Sequence, residues 1–180
     1  MLQIDWASIT GADGYDIELV NKKKGAKPSV TTVTSADQTS ISLDTYNHKG
    51  FDPKSIYEVV VKAYRLRGDE KEYIAQSTER YLVGANHKKY TNVKKLKPKK
   101  KAVTCKRKKK IKLAIKIVKA KKKKKLLPKS YGPTLRYDSS KPNIATVTKK
   151  GVVKGKKKGS CYIHVRGLNG VGCRVKVTVK

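Results

Sequence analysis

The side chains that could perform catalysis or bind a metal are few and lie far apart in the sequence. They include His48, His87, His164, Cys105, Cys161 and Cys173. A zinc site needs thiolates and imidazoles at short spacing, and a covalent nucleophile needs a base within reach and a third group to orient it. The sequence has no Cys-x-x-Cys pair, no Gly-x-Ser-x-Gly motif and no glycine-rich phosphate loop. We therefore predict that the chain is not an enzyme and has no catalytic residue, metal site or cofactor.

Lysine is the most prominent chemical feature, and it is concentrated in one half of the chain. Residues 1–86 carry 11 Lys and Arg against 12 Asp and Glu, whereas residues 87–180 carry 34 against one acid, Asp138. So sharp a change in charge predicts two domains with different surfaces. In the second half lysine outnumbers arginine 30 to 4, and an ammonium group lacks the planar fork with which arginine binds bases and phosphates. We expect this half to bind polyanions non-specifically, with a steep salt dependence.

The elements that must position these residues are β-strands, because apolar residues alternate with period two in almost every segment. The clearest strands are Ile111–Val118, Cys161–Arg166 and Val171–Lys180, and "GLNG" at 167–170 supplies the turn for a hairpin between the last two. The lysines then lie mostly on solvent faces and in turns. The stretch "KKGVVKGKKKGSCYIHV" (149–165) is therefore predicted to be a folded edge rather than a disordered basic arm. No run approaches 18 apolar residues, so we predict no membrane span.

The first half shows the same pattern of short strands separated by turn residues, which is typical of a β-sandwich. Strands are predicted near Ile4–Trp6, Tyr15–Val20, Ser29–Val33, Thr39–Leu43, Ile56–Leu66 and Tyr73–Val83. The polar, non-periodic residues 85–93 are predicted to be a linker.

Two segments of the first half resemble a fibronectin type III domain. "IDWASITGADGYDIELV" (4–20) is similar to the family's second and third strands, and "FDPKSIYEVVVKAYR" (51–65) is similar to its sixth strand, with Tyr57 as the tyrosine that anchors the corner. The resemblance covers roughly residues 2–84. There is no room before Leu2 for the family's first strand, so either that edge is built otherwise or the chain is cut, and we expect it to be a fragment of a longer protein.

The resemblance also gives meaning to the tripeptide Arg67-Gly68-Asp69. In fibronectin type III domains the loop between the sixth and seventh strands can display this tripeptide to an integrin, which binds the arginine through a carboxylate and the aspartate through a metal ion. A Gly-Asp step is also favoured in a tight hairpin turn. We therefore expect a turn, with integrin binding as the functional alternative.

The second half closely resembles the bacterial Ig-like domain of group 2. "LRYDSSKPNIATVTKKGVVKGKKKGSCYIHVRGLNGVGCRVKVTV" (135–179) matches the family's signature at Tyr137, Ser139, Ser140, Ala145, Val147, Gly151, Val153, Gly155, Gly159, Asn169 and Gly170. The resemblance extends back to about Lys94, across a lysine-rich insertion at 119–133. Membership of this family implies an extracellular module of a bacterial surface protein, often C-terminal, and the end of the last strand at Lys180 is consistent with a true C-terminus. Together the two resemblances predict an all-β chain of two consecutive immunoglobulin-like β-sandwiches, at residues 1–84 and 94–180.

An immunoglobulin-like order leaves two interpretations of the cysteines, all of which fall on the inward phase of their strands. The end of the first strand and the start of the sixth lie at the same pole, so Cys105 and Cys161 could form a disulfide. The alternative is three buried thiols, Cys173 included, that act as small apolar residues.

These observations predict a non-catalytic spacer and adhesion module of a secreted or surface-attached Gram-positive protein. The expected partners are anionic wall polymers or host glycan and matrix polymers, with Lys121, Lys122, Lys123, Lys124 and Lys125 as candidate contacts. Specific nucleic-acid binding is not expected, because aromatic side chains for base stacking are few. The alternative function is that of an accessory module at the C-terminus of a larger cell-wall or glycan hydrolase. An amidase, peptidase or glycosidase pattern upstream of Leu2 would favour that alternative, and further sandwich repeats would favour the first.

Overall fold

The computed structural model describes all 180 residues, Met1–Lys180, and its regular structure is almost entirely β. The prediction of an all-β fold is confirmed. The one helical segment is a 3-10 turn at Lys129–Tyr131, and no helix has the length and apolarity that crossing a bilayer would require. By their internal contacts the residues divide into two compact units, Met1–Lys88 (unit 1) and Lys89–Lys180 (unit 2).

Unit 1 contains nine strands. They are β1 (Leu2–Asp5), β2 (Gly14–Asn21), β3 (Ser29–Val33), β4 (Ser40–Leu43), β5 (Thr45–Tyr46), β6 (Lys49–Gly50), β7 (Ile56–Arg67), β8 (Glu70–Gln76) and β9 (Arg80–Val83). The largest sheet has the order β3-β2-β7-β8, with β9 also paired to β7, while β1 pairs with β4 and β5 pairs with β6.

The core of unit 1 is built on the inward faces of the two long central strands, β2 and β7. Tyr15 and Ile17 are almost completely buried, and the residues that alternate with them, Asp16 and Glu18, lie on the opposite face of the sheet. Trp6 follows the end of β1 rather than lying within the strand, and its ring packs against Tyr15 with 5.3 Å between centroids.

The segment Tyr73–Val83 differs from its prediction, because two strands, β8 and β9, take the place of one. Both are antiparallel to β7, and Ser77 lies in the gap between them. The Ser77 N–H donates to the Val61 carbonyl at 2.8 Å, and the Val61 N–H donates to the Ser77 hydroxyl at 3.0 Å. The hydroxyl therefore supplies an acceptor at the point where regular pairing stops.

Unit 2 also contains nine strands. They are β10 (Val93–Pro98), β11 (Ala102–Cys105), β12 (Lys110–Lys112), β13 (Ile115–Lys119), β14 (Leu135–Ser139), β15 (Ala145–Val147), β16 (Val152–Gly155), β17 (Gly159–Gly167) and β18 (Gly172–Val179). One sheet has the order β11-β18-β17-β14, a second has the order β12-β16-β15, and β10 pairs with β13. The predicted hairpin is present, since β17 and β18 pair antiparallel across residues 168–171.

The first strand of unit 2 changes partners halfway along its length. β10 is antiparallel to β13, and after Pro98 the chain crosses to pair in parallel with β18 as β11. The predicted strand Ile111–Val118 is split in a similar way, because β12 pairs with β16, β13 pairs with β10, and Leu113 and Ala114 lie between them. One continuous segment therefore serves two different partners.

No lysine of unit 2 enters the core. Of its 29 lysines, 27 are exposed, and Lys119 and Lys124 are half-buried. The core consists of apolar side chains from the facing sheets, among them the fully buried Val153, Ile163 and Val177. The predicted placement of the lysines on solvent faces and in turns is confirmed by this burial.

Candidate functional site

Arg67, Gly68 and Asp69 form the tip of the β7–β8 hairpin in unit 1. Arg67 is directly opposite Glu70, so the loop consists of Gly68 and Asp69 alone. Gly68 has a φ of 62°, and a glycine with positive φ at the first of two loop positions is typical of a type II′ hairpin turn. Arg67 Nε donates to the Glu72 carboxylate at 2.9 Å. The tripeptide therefore has the geometry of a tight turn, and its arginine takes part in an ion pair within the same hairpin.

The lysine run Lys121–Lys125 is a turn whose backbone is attached to the start of unit 2. The Thr91 N–H donates to the Lys125 carbonyl at 2.9 Å, and the Lys121 N–H donates to the Thr91 hydroxyl at 3.2 Å. Thr91 itself is buried. Lys124 is half-buried and the other four lysines are exposed. The insertion is thus an anchored turn that presents a cluster of ammonium groups to solvent.

All three cysteines are free thiols, so the candidate disulfide between Cys105 and Cys161 is not formed. Strand β18 lies between them, with Cys105 opposite Val179 and Cys161 opposite Val177. Two strand spacings and an offset of two residues separate their Cα atoms by about 12 Å. A disulfide tolerates no more than about 7 Å between Cα atoms. The two cysteines lie towards the same pole, as expected, but β18 separates their strands within one sheet, and the resulting distance rules out the bond.

The remaining thiol, Cys173, is half-buried against the core of unit 2. Burial raises the pKa of the Cys173 thiol. Because the thiolate is the reactive form, a raised pKa makes this cysteine a poor nucleophile at neutral pH.

An open cavity of about 300 Å³ lies where the first strand of unit 2 changes sheets. Its walls include Val103, Ile111 and Leu113, and its only ionisable lining groups are lysines, such as Lys99 and Lys112. No carboxylate, imidazole or thiol lines it, so the cavity holds no acid–base pair. Elsewhere in the chain, no three His, Cys, Asp or Glu side chains lie close enough together to hold a metal ion.

A buried carboxylate on the outer face of unit 1 was not singled out from the sequence. Asp16 is only 3% exposed, and it accepts hydrogen bonds from Lys71 Nζ at 2.8 and 3.0 Å, from the Tyr73 hydroxyl at 2.6 Å and from the Thr32 hydroxyl at 2.7 Å. Burial raises the pKa of the Asp16 carboxyl, but the hydrogen bonds from Lys71, Tyr73 and Thr32 outweigh it and leave the pKa below its usual value. The hydrogen bond that the Tyr73 hydroxyl donates to Asp16 is also the main cause that raises the pKa of Tyr73 to about 12.

This cluster is an ion-pair network in which the donors Lys71, Tyr73 and Thr32 engage the carboxylate of Asp16. Asp16 and Glu18 are indistinguishable by alternation in the sequence. Only the flanking strands give Asp16 a different environment from Glu18. Thr32 is opposite Asp16 on one side, and the β8 side chains Lys71 and Tyr73 reach Asp16 from the far side of β7.

A second arrangement that the sequence did not reveal is the collection of arginines on one sheet face of unit 2. Three of the four arginines, Arg136, Arg166 and Arg174, lie on the outer face of the sheet β11-β18-β17-β14. Arg136 is directly opposite Arg166, and Arg174 is directly opposite His164. The alternation of each strand could have assigned the face of each arginine, but only the register of β14, β17 and β18 brings them together.

No protein-family model and no curated protein matches this chain. The two family resemblances therefore stay predictions that rest on the quoted residues. The fibronectin type III resemblance implies that Tyr57 anchors the corner before its strand. In unit 1 the Tyr57 hydroxyl accepts a hydrogen bond from the Asp52 N–H at 2.8 Å and so fixes the turn that leads into β7.

Proposed function

We propose that the chain is a non-catalytic extracellular module of a bacterial surface or secreted protein, and that it serves as a spacer and as a binding domain for anionic polymers of the wall, of glycans or of the matrix. Unit 2 would supply the binding surface. The observation that carries the proposal is its charge: with 33 Lys and Arg against Asp138 alone, unit 2 has a net charge of +32.

The way in which this charge is held supports the proposal further. The ammonium groups project from strands and anchored turns around an apolar core, so their backbone positions are fixed before any ligand binds. A pre-organised cationic surface loses less conformational entropy on binding than a disordered arm of equal charge. The predominance of lysine favours attraction to a dense row of negative charges over recognition of one defined group.

The test is retention of the full chain on insoluble polymers at rising salt concentration. Gram-positive wall sacculi that carry teichoic acid are compared with sacculi stripped of it, and neutral cross-linked dextran serves as the blank. We expect retention on the phosphate-bearing sacculi, with a loss of affinity of orders of magnitude between about 50 and about 200 mM salt. The proposal would be refuted if retention on the stripped sacculi and on dextran equalled retention on the sacculi that carry teichoic acid, or if the chain were not retained at low salt.

Matched variants separate the contribution of unit 2 from a general effect of charge. In one variant Lys121, Lys122 and Lys123 are changed to glutamine, and in the control Lys24, Lys27 and Lys49 of unit 1 are changed to glutamine. All six side chains are exposed, and both variants lose the same net charge. We expect weaker retention for the first variant only.

For Arg67-Gly68-Asp69 we propose a role as a hairpin turn, not as an integrin ligand. The two-residue loop and the Arg67–Glu72 ion pair support this role. Adhesion of integrin-bearing cells to the wild-type chain and to Asp69→Glu should therefore be equal. Adhesion that is lost in the variant would assign the tripeptide to integrin binding instead.

A further inference from the structure

The outer face of the β17–β18 hairpin in unit 2 carries a line of three cations. Lys176 and Arg174 lie on β18, and Arg166 lies on β17. They alternate with buried residues of the same strands, such as Val175 and Val165, so their side chains leave the sheet on the side away from the core. We refer to Lys176, Arg174 and Arg166 as the cation row.

Arg174 is held in place by an aromatic ring on the neighbouring strand. Its guanidinium lies over the ring of Tyr162 at 4.8 Å from the centroid, and Tyr162 is directly opposite Lys176. A guanidinium stacked in this way keeps its N–H edges available for an anion while it loses little freedom on binding. Because Arg174 covers that face of Tyr162, the ring does not offer the open platform that a nucleobase needs for stacking.

Opposing negative charge is scarce along the row. Asp138 is the only acid in unit 2, and its contact with Arg166 is long, at 3.5 Å between exposed side chains. An exposed pair of this kind contributes little to stability, so an incoming anion can displace it at small cost. The other side chains on this face beside the row include Arg136, opposite Arg166, His164, opposite Arg174, and the hydroxyls of Ser160 and Thr178.

The spacing of the row sets the spacing of the anions that fit it. Alternate residues of a strand are about 6.8 Å apart. Arg174 is two residues from Lys176, and Arg166 is two residues from His164, the residue opposite Arg174. Successive cations therefore advance by about 7 Å along the hairpin. Two residues of an extended peptide contain six backbone bonds, so a polymer with one negative charge per six backbone bonds has the same repeat.

We propose that the cation row binds a linear phosphodiester polymer with three-carbon spacers, of the poly(glycerol phosphate) type. Such a chain carries one phosphate per six backbone bonds, so consecutive phosphates face consecutive cations, with Arg174 and Arg166 each able to bind two oxygens of a phosphate. A polymer with five-carbon spacers has eight bonds per repeat and falls out of step within three charges. This inference rests on the proposed function, because it names the polymer class and the residues within the same cationic surface.

The test is the affinity of the full chain for synthetic oligo(glycerol phosphate) of six phosphates, followed by calorimetry at fixed salt. Oligo(ribitol phosphate) and oligo(thymidylate) with the same number of phosphates are the competing ligands. We expect the glycerol polymer to bind several-fold more tightly than the ribitol polymer, because only its repeat matches the row. Oligo(thymidylate) also has six backbone bonds per phosphate, and we expect it to bind no more tightly than the glycerol polymer, because the covered Tyr162 ring leaves its bases no face for stacking. Preference for ribitol phosphate would refute the match of spacing, and preference for oligo(thymidylate) would show that the face binds single-stranded nucleic acid instead.

Matched variants test whether the row itself is responsible. Arg166→Gln/Arg174→Gln removes two charges from it, while Lys110→Gln/Lys154→Gln removes two charges that are directly opposite each other on the outer face of the sheet β12-β16-β15. We expect roughly a tenfold or larger loss of affinity for the arginine variant and a salt slope lower by about two, with much smaller changes in the lysine control. Tyr162→Phe keeps the stacked ring and should bind like the wild type, whereas Tyr162→Leu should bind more weakly.

The outcomes separate the two proposals. If the arginine variant and the lysine control lose affinity equally while both still bind polyanions, the cation row is refuted and the proposed function stands. If the wild-type chain binds none of the three oligomers at low salt, both are refuted.

Discussion

The buried carboxylate of Asp16 gives the sharpest prediction about the stability of unit 1. Asp16→Asn removes the charge but keeps the shape of the side chain. The asparagine would face Lys71, Tyr73 and Thr32 with only one acceptor oxygen, and its amide would point donors at donors. The variant therefore tests whether the network or mere packing stabilises this face of the sheet.

The magnitude follows from the burial of the pair. The Asp16 side chain is 4% exposed, whereas the Lys71 side chain is 33% exposed. Breaking a buried ion pair costs about 3–5 kcal/mol, but a partner that can turn towards water recovers part of that cost. We expect about 3 kcal/mol, which corresponds to a fall of roughly 15 °C in the melting temperature of a unit of this size.

Trp6 makes the measurement specific for unit 1, because it is the only tryptophan in the chain and packs on Tyr15 in that unit. Its fluorescence therefore follows the unfolding of unit 1 within the full chain. The control is Glu18→Gln, on the same strand and the same face, where the ion pair with Lys62 joins two side chains that are each 28% exposed. We expect that variant to cost less than about 1 kcal/mol. If Asp16→Asn lowers the stability no more than Glu18→Gln, the reasoning is wrong.

Three further predictions concern titration, a glycine and the thiols. Because the pKa of Asp16 is lowered in the folded state, its contribution to folding stability is present above the unfolded pKa of about 4 and is lost as the pH falls through the folded pKa. Because the pKa of Tyr73 is raised, its contribution to folding stability is lost as the pH rises from about 10 to about 12. Denaturation followed by Trp6 fluorescence at a series of pH values should show both losses of stability. If Asp16→Asn has the same pH dependence of stability as the wild type, the network around Asp16 is not their cause. A Cβ at Gly84 would clash with the Pro53 carbonyl group, whereas one at Gly50 would have no neighbour within 4 Å. Gly84→Ala should therefore cost at least about 2 kcal/mol of folding stability and Gly50→Ala far less, and equal costs would contradict the close approach. Thiol titration of the denatured, unreduced chain should find three free thiols. A value of one would show that two of the cysteines form a disulfide and would contradict the prediction.

The parts of the fold that follow from local patterns could be predicted from the sequence. Strands β17 and β18 alternate strictly and are joined by "GLNG", so their existence, their pairing and the outward direction of Tyr162 and Lys176 all follow from short-range rules. The positions of the lysines of unit 2 follow from the same rules, because nearly all of them occupy a polar phase or a turn. Lys119 is an exception, since it is half-buried and directly opposite the buried Val93.

The parts that depend on register between distant strands could not be predicted. The distance between Cys105 and Cys161 is set by β18, which lies between their strands, and a shared pole says nothing about a shared sheet. The burial of Asp16 depends on β3 and β8, which are separated from it by many residues along the chain. The cation row likewise exists only because Arg174 on β18 is opposite His164 on β17.

The central claim is that the basic half of the chain is a folded β unit whose charges are fixed on its outer faces. Hydrogen exchange of the full chain, read by mass spectrometry at peptide resolution, tests it most directly. We predict that the amides of Gly159–Gly167 and Gly172–Val179 exchange as slowly as those of the central strands of unit 1, despite the surrounding lysines. Exchange of these amides at the rate of an unstructured peptide would contradict the claim.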